Sequence, residues 1–202
     1  MRSASAHATH RRVLRQGLKS PWISANSLDP MTIAYYLLEP SIYSDFMTPV
    51  VRRPGRDESE AIARMHTEAW RTTYGGSVPD TYLDEGSITR RTQHWRTVLE
   101  PKEEGQDVAV AVEDSGIIGI AHCGLEDGRR KLFALYVLEA FHGTGVGQLL
   151  LDAVLTDEPT ELWVAQTNRR AMKFYRRNGF EPDGAAQDLL GIDGYVTIRM
   201  VR

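Results

Sequence analysis

From Met47 onward the apolar positions fall into regular periods. Val50 and Val51 predict a short strand, and Asp57 stands where an N-cap precedes a helix carrying Ala61, Ile62, Met65 and Ala69 at helical spacing. Residues 70–83 read as a loop broken by Gly75, Gly76 and Pro79, after which Ile88, Thr92, Trp95, Val98 and Leu99 mark a second helix. Three runs rich in aliphatic and β-branched residues follow, at 107–112, 117–123 and 131–138. Asp114-Ser115-Gly116 and Glu126-Asp127-Gly128 separate them, which predicts an antiparallel meander. Val146, Leu149, Leu150, Ala153 and Val154 then repeat as one face of a helix, 162–165 reads as a strand, and 169–177 as a helix stopped by Asn178-Gly179. A strand over 195–201 closes the series. The order βαα-βββ-α-β-α-ββ predicts one mixed α/β (α+β) domain with helices on both faces of its sheet.

Residues 1–46 break this regularity. Arg2, Arg11, Arg12, Arg15 and Lys19 occur with no acidic residue before Asp29, and no periodic apolar face accompanies them. A transit peptide, a disordered tail, or translation begun upstream of a true start at Met47 each fit such a segment. The domain is therefore expected at 47–202, with 1–46 as an extension.

Composition narrows the partners more than it names them. Lys+Arg 24 against Asp+Glu 27 gives a formal charge of -3, so no global field draws the chain to nucleic acid or to an anionic membrane. A single cysteine, Cys123, excludes an internal disulfide and a Cys-x-x-Cys metal cluster, so no metal is expected. No stretch reaches the roughly 18 apolar residues of a membrane span. A cytoplasmic location is the expectation.

The segment 137–148 carries the most specific signal. There a strand runs through Val137-Leu138-Glu139-Ala140-Phe141 into His142-Gly143-Thr144-Gly145-Val146-Gly147-Gln148 and directly into a helix. Such a turn aims unpaired backbone N–H groups at one point, and the helix N-terminus adds roughly half a positive charge, so phosphate or pyrophosphate is the expected ligand. A P-loop needs Lys-Ser or Lys-Thr after the last glycine, but Gln148-Leu149 follows Gly147. The dinucleotide fingerprint fails as well, because its third glycine position, counted from Gly143 and Gly145, is Gln148.

This loop resembles the acetyl-CoA pyrophosphate loop of the GNAT N-acetyltransferases, Gln/Arg-x-x-Gly-x-Gly/Ala after a strand, with His142, Gly145 and Gly147 in those places. His142 departs from the usual Gln or Arg. The segment from Asn168 to Phe180 is similar to the family's Asn-x-x-Ala-x-x-Phe-Tyr-x-x-x-Gly-Phe at every named position. The resemblance covers roughly 47–202, and Ala69-Trp70-Arg71-Thr72-Thr73-Tyr74 looks like part of a substrate-side loop.

The resemblance implies a mostly antiparallel sheet of six to seven strands in which 131–138 and 162–165 splay apart to hold the cofactor arm. Leu135, Tyr136 and Val137 would then pair with that arm, residues 142–148 would hold the pyrophosphate, and Asn168 would bond the arm, cap the following helix, or do both. Tyr175 would protonate the departing thiolate, and transfer would be direct, from acetyl-CoA to the primary amine of a small molecule or peptide. Family members often carry a Glu near the start of the strand before the loop, where this chain has Arg130-Lys131. His122 is the replacement base to test, since imidazole titrates near neutrality. Cys123 would point to the opposite sheet face, into core. Trp70, Tyr74, Tyr82 and Trp95 fit either an acceptor pocket or plain core. A homodimer is compatible with the family, and a domain that binds acyl-CoA as a sensor without turnover is the alternative function.

Overall fold

Asp127 and Gly128 take positive φ, 52° and 73°, so a two-residue turn brings Glu126 opposite Arg129 and starts the central hairpin. The computed structural model describes residues 49–100, 105–189, 192 and 194–202; the expected extension 1–46 lies outside the described residues. The elements are β1 (Val50–Arg52), α1 (Ser59–Tyr74), α2 (Glu85–Val98), β2 (Asp107–Glu113), β3 (Gly116–Glu126), β4 (Arg129–Val137), α3 (Val146–Val154), β5 (Thr160–Ala165), α4 (Arg169–Arg177), β6 (Glu181–Asp188) and β7 (Val196–Val201). They form one sheet in the order β1-β2-β3-β4-β5-β7-β6. Every pairing is antiparallel except that of β4 with β5. This is the mixed α/β, mostly antiparallel fold that the pattern predicts.

Helices cover both faces. On one, Ile62, Ala63 and Met65 of α1 and Trp95 of α2 pack on Val108, Val110, Ile120 and Ala134. On the other, Val146, Leu150, Leu151 and Val154 of α3, with Tyr175 of α4, pack on Ala109, Ala121, Cys123 and Leu162. Each fully buried Leu or Val there contributes about 1.5–3 kcal/mol. The buried stripe of α3 therefore includes Leu151, whereas Leu149, expected on the apolar face, is 44% exposed. At Gly119 of β3 an added Cβ would lie 2.8 Å from Leu150 Cδ1 and 3.0 Å from the Tyr136 carbonyl oxygen, so α3 sits close to the sheet only because that side chain is absent.

Two boundaries differ from expectation. Helix α1 does not stop at Ala69 but runs to Tyr74, because Trp70 and Tyr74 continue its buried face and no breaker intervenes before Gly75. Its entry is a 3-10 turn at Arg56–Glu58 rather than a cap by Asp57, with the Glu58 carboxylate accepting from the Gly55 amide at 2.8 Å.

Candidate cofactor site

Strands β4 and β5 pair at only three positions, Arg130↔Thr160, Lys131↔Glu161 and Leu132↔Leu162. Beyond these β4 continues to Val137, while β5 continues to Ala165 paired on its other edge with β7. The two strands thus diverge, as the resemblance implied for 131–138 and 162–165. A cavity of about 470 Å³ follows the divergence, lined by Leu135, Tyr136, Val137, Gly143, Asn168 and Tyr175 among others.

The glycine loop closes one end. Gly143 and Gly145 have φ of 82° and 93°, where an added Cβ would meet no neighbour but the backbone itself disfavours one. Gly145 is the N-cap of α3. Among the described residues the amides of Gly143, Thr144, Gly145 and Gly147 find no acceptor, whereas Gln148 and Leu149 donate to the Gly145 carbonyl oxygen at 2.9 and 3.1 Å. Four orphan donors at a helix N-terminus suit a pyrophosphate. The Thr144 hydroxyl donates to the Phe141 carbonyl oxygen at 2.7 Å, and Val146 is buried in the core. Neither side chain lines the cavity. Gln148 does, while its amide donates to Asp152 and Asn178 at 2.8 Å each and ties the loop to α4.

His142 works on the loop's shape rather than through charge. Its Nε2–H donates to the Val137 carbonyl oxygen at 2.8 Å, and burial lowers its pKa, so it stays neutral at physiological pH. Asn168 caps α4, its Oδ1 accepting from the Ala171 amide at 3.0 Å, and it also lines the cavity. Tyr175 is buried between Phe174 and Phe180, both edge-on to its ring, and burial pushes its pKa above the usual tyrosine value. It therefore remains a proton carrier at neutral pH.

A family model described as an acetyltransferase (GNAT) domain matches residues 104–182, which span the meander, the loop and α4. Uncharacterised N-acetyltransferases of Archaeoglobus fulgidus and Bacillus subtilis are each 27% identical, over 62% and 71% of this chain and 88% and 86% of theirs. Among solved structures, the PaiA N-acetyltransferase of Thermoplasma acidophilum in complex with coenzyme A aligns at a TM-score of 0.59. Its sequence identity is 21%, over 76% of this chain and 98% of that one. Residues 104–182 thus match the GNAT acetyltransferase domain in sequence, and the chain shares the fold of these acetyltransferases. The GNAT fold accounts for the single parallel pair: β4 and β5 must run side by side yet separate.

Within the matched residues His122 is set apart from the cavity. Its Nε2 is 2.5 Å from Gln106 Oε1, its ring packs against Trp95 and Phe133, and it does not line the cavity. Burial lowers its pKa to about 4. A group with so little basicity, on a wall of aromatic residues, is a poor general base, which corrects the sequence expectation. Cys123 lies in the core on the opposite face, its thiol pushed up to about 11 by burial. Trp70 and Trp95 are core, while Tyr74 is buried yet lines the cavity. Phe174 packs against the core and also lines the cavity, under Gly147. Lys173 and Arg177 were missed as lining residues, whereas Thr73, which also lines the cavity, belongs to the segment read as substrate-side. The helical spacing from Asn168 to Arg177 would have put Arg170, Lys173 and Arg177 on one side of α4.

Proposed function

We propose that this GNAT domain binds acetyl-CoA in the cleft between β4 and β5 and transfers the acetyl group directly to a primary amine. The observation that carries this reading is that the glycine loop brings three residues with acceptorless amides, Gly143, Gly145 and Gly147, to a cavity that Tyr175 also lines. The amides and the α3 N-terminus hold the pyrophosphate, and the diverging edge of β4 at Leu135–Val137 pairs with the pantetheine arm. Asn168 orients that arm with the amide group its capping bond leaves over. Tyr175 donates its proton to the leaving thiolate as charge develops on sulfur. Positioning the amine beside the bound thioester provides much of the acceleration without a covalent intermediate.

No carboxylate lines this cavity among the described residues, and the burial of Tyr74 and Tyr136 raises both pKa values, so neither phenol is a base at neutral pH. The acceptor amine therefore enters already deprotonated. kcat/KM should rise with pH along the titration of the acceptor itself, and two amines of different pKa should give profiles displaced by that difference. A common midpoint near neutrality for both would instead reveal an enzyme base.

A sensor that binds acyl-CoA without turnover is the second reading. It draws support from Arg130-Lys131, at the start of the strand where the family resemblance implies a Glu: neither lines the cavity, and the Lys131 ammonium is 2.5 Å from Glu126. Thiol release from acetyl-CoA across an amine panel, with binding measured in parallel, separates the two. Release with at least one amine supports the enzyme, and tight binding with none supports the sensor.

A further inference from the structure

We propose that the acceptor amine is carried on an aromatic ring or a similarly flat apolar body, held between Phe133 and Trp163 where β4 and β5 separate; this rests on the acetyl-transfer reading above. Phe133 and Trp163 immediately follow the last β4–β5 pair, Leu132↔Leu162, one on each strand, and both line the cavity. Side chains alternate along β5, so Leu162 and Val164 enter the core beneath α3. Trp163 shares the other face with Ala165, which packs on Trp70 and Tyr74 of α1. On β4 the register shifts: Leu132 opposes Cys123 and Ala134 opposes His122, which leaves Phe133 as an extra residue. The Phe133 ring lies 5.0 Å from that of His122, which itself packs on Trp95 of α2. Both rings therefore stand on the α1–α2 face of the sheet, at the split, and Phe133 is 36% exposed.

Their place along the cleft decides what they meet. With the pyrophosphate at the glycine loop and the arm along Val137 to Leu135, the acyl end arrives beside Ala134 and Phe133. Tyr175, the proton donor to sulfur, belongs to the α3–α4 face. The nucleophile is left the opposite face for its approach, and that face carries the two rings. Its chemistry disfavours a charged acceptor body, because no carboxylate among the described residues lines the cavity. Two cations stand just outside, over the rings: Lys131 Nζ is 5.3 Å from the Phe133 centroid and the Arg199 guanidinium 5.9 Å from that of Trp163. Each is tied to a carboxylate, Glu126 at 2.5 Å and Asp183 at 2.6 Å. A polyamine or an amino sugar would meet like charge there and no free counter-charge. An apolar ring instead leaves water and stacks offset or edge-on against Phe133 and Trp163. The same apolar wall favours the neutral amine, which is the form that attacks.

The test measures thiol release from acetyl-CoA by the full chain with phenethylamine, ethylamine and spermidine, each kcat/KM expressed per neutral primary amine, and acetyl-CoA binding by calorimetry. Phenethylamine should exceed ethylamine by roughly tenfold or more, the scale expected for burying a ring-sized apolar group, and spermidine should not exceed ethylamine. In Phe133→Ala and in Trp163→Ala, each melted to confirm folding, that preference should shrink through a higher KM for phenethylamine, with acetyl-CoA affinity retained. Equal rates for phenethylamine and ethylamine, or a preference for spermidine, would overturn the proposal. So would a preference that survives both substitutions, or acetyl-CoA binding with thiol release from none of the three amines. A wild type that does not bind acetyl-CoA at all would overturn the reading beneath it as well.

Discussion

Replacing Tyr175 with Phe removes one hydroxyl and keeps a ring packed edge-on against Phe174 and Phe180, so the fold should persist. If the hydroxyl is the general acid, kcat falls by roughly 10²–10⁴-fold while acetyl-CoA affinity, read by calorimetry, stays nearly constant, because the lost interaction belongs to the transition state. Full turnover of the variant would reassign the proton to water. At Gly145 two effects act together. A side chain there meets no neighbour, but φ of 93° strains any L-residue, and Glu adds charge at the orphan amides. Gly145→Glu should abolish binding, whereas Gly145→Ala should retain part of it; equal binding by both would remove the anion site from this loop. The positions of Gly145 at the start of α3 and of Tyr175 beside the cavity were readable in the sequence, because residue type and spacing encode them. For His122 residue type alone suggested chemistry, whereas its ring packs against Trp95 and Phe133 and does not line the cavity.

Among the elements, the ones with complete local signals were legible: the Asp-Gly hairpin, the glycine loop and the Asn178-Gly179 stop. The end of α1 was not, since Trp70 and Tyr74 look like loop aromatics until their partners on the sheet side are known. Strand β6 carries no apolar alternation, being exposed at nearly every position, and is made by pairing with β7 instead of by its own pattern. The close seat of α3 on β3 was likewise invisible, because Gly119 is unremarkable in sequence. Gly119→Ala would force its Cβ against Leu150 and the Tyr136 carbonyl. A cost of about 1–3 kcal/mol should lower the melting temperature by several degrees. An unchanged melt would mean that α3 shifts freely on the sheet.

For the whole molecule, acid should be destabilising well above the range where carboxylates protonate. His66, His94 and His122 lie on the α1–α2 side with pKa values lowered by burial, that of His122 to about 4. The unfolded chain, with histidines near the ordinary value of about 6.5, then binds more protons than the folded one. Stability is fully present above about pH 6.5 and is lost as pH falls toward 4, with His122 alone accounting for up to roughly 3 kcal/mol. Melts at pH 7 and pH 4.5 that coincide would contradict this. Residues 49–202 contain their own core on both sheet faces, so a chain starting at Met47 should melt within a few degrees of the full one. A larger drop would show that 1–46 docks. The divergence of β4 from β5 adds a different expectation, read in hydrogen exchange. Past Leu132 the β4 amides directed toward β5 have no strand to bond, so in the ligand-free protein they should exchange with solvent orders of magnitude faster than those directed toward β3. Adding acetyl-CoA should slow that one set and leave the other unchanged, making the co-substrate, for the lifetime of the complex, the eighth strand of the sheet.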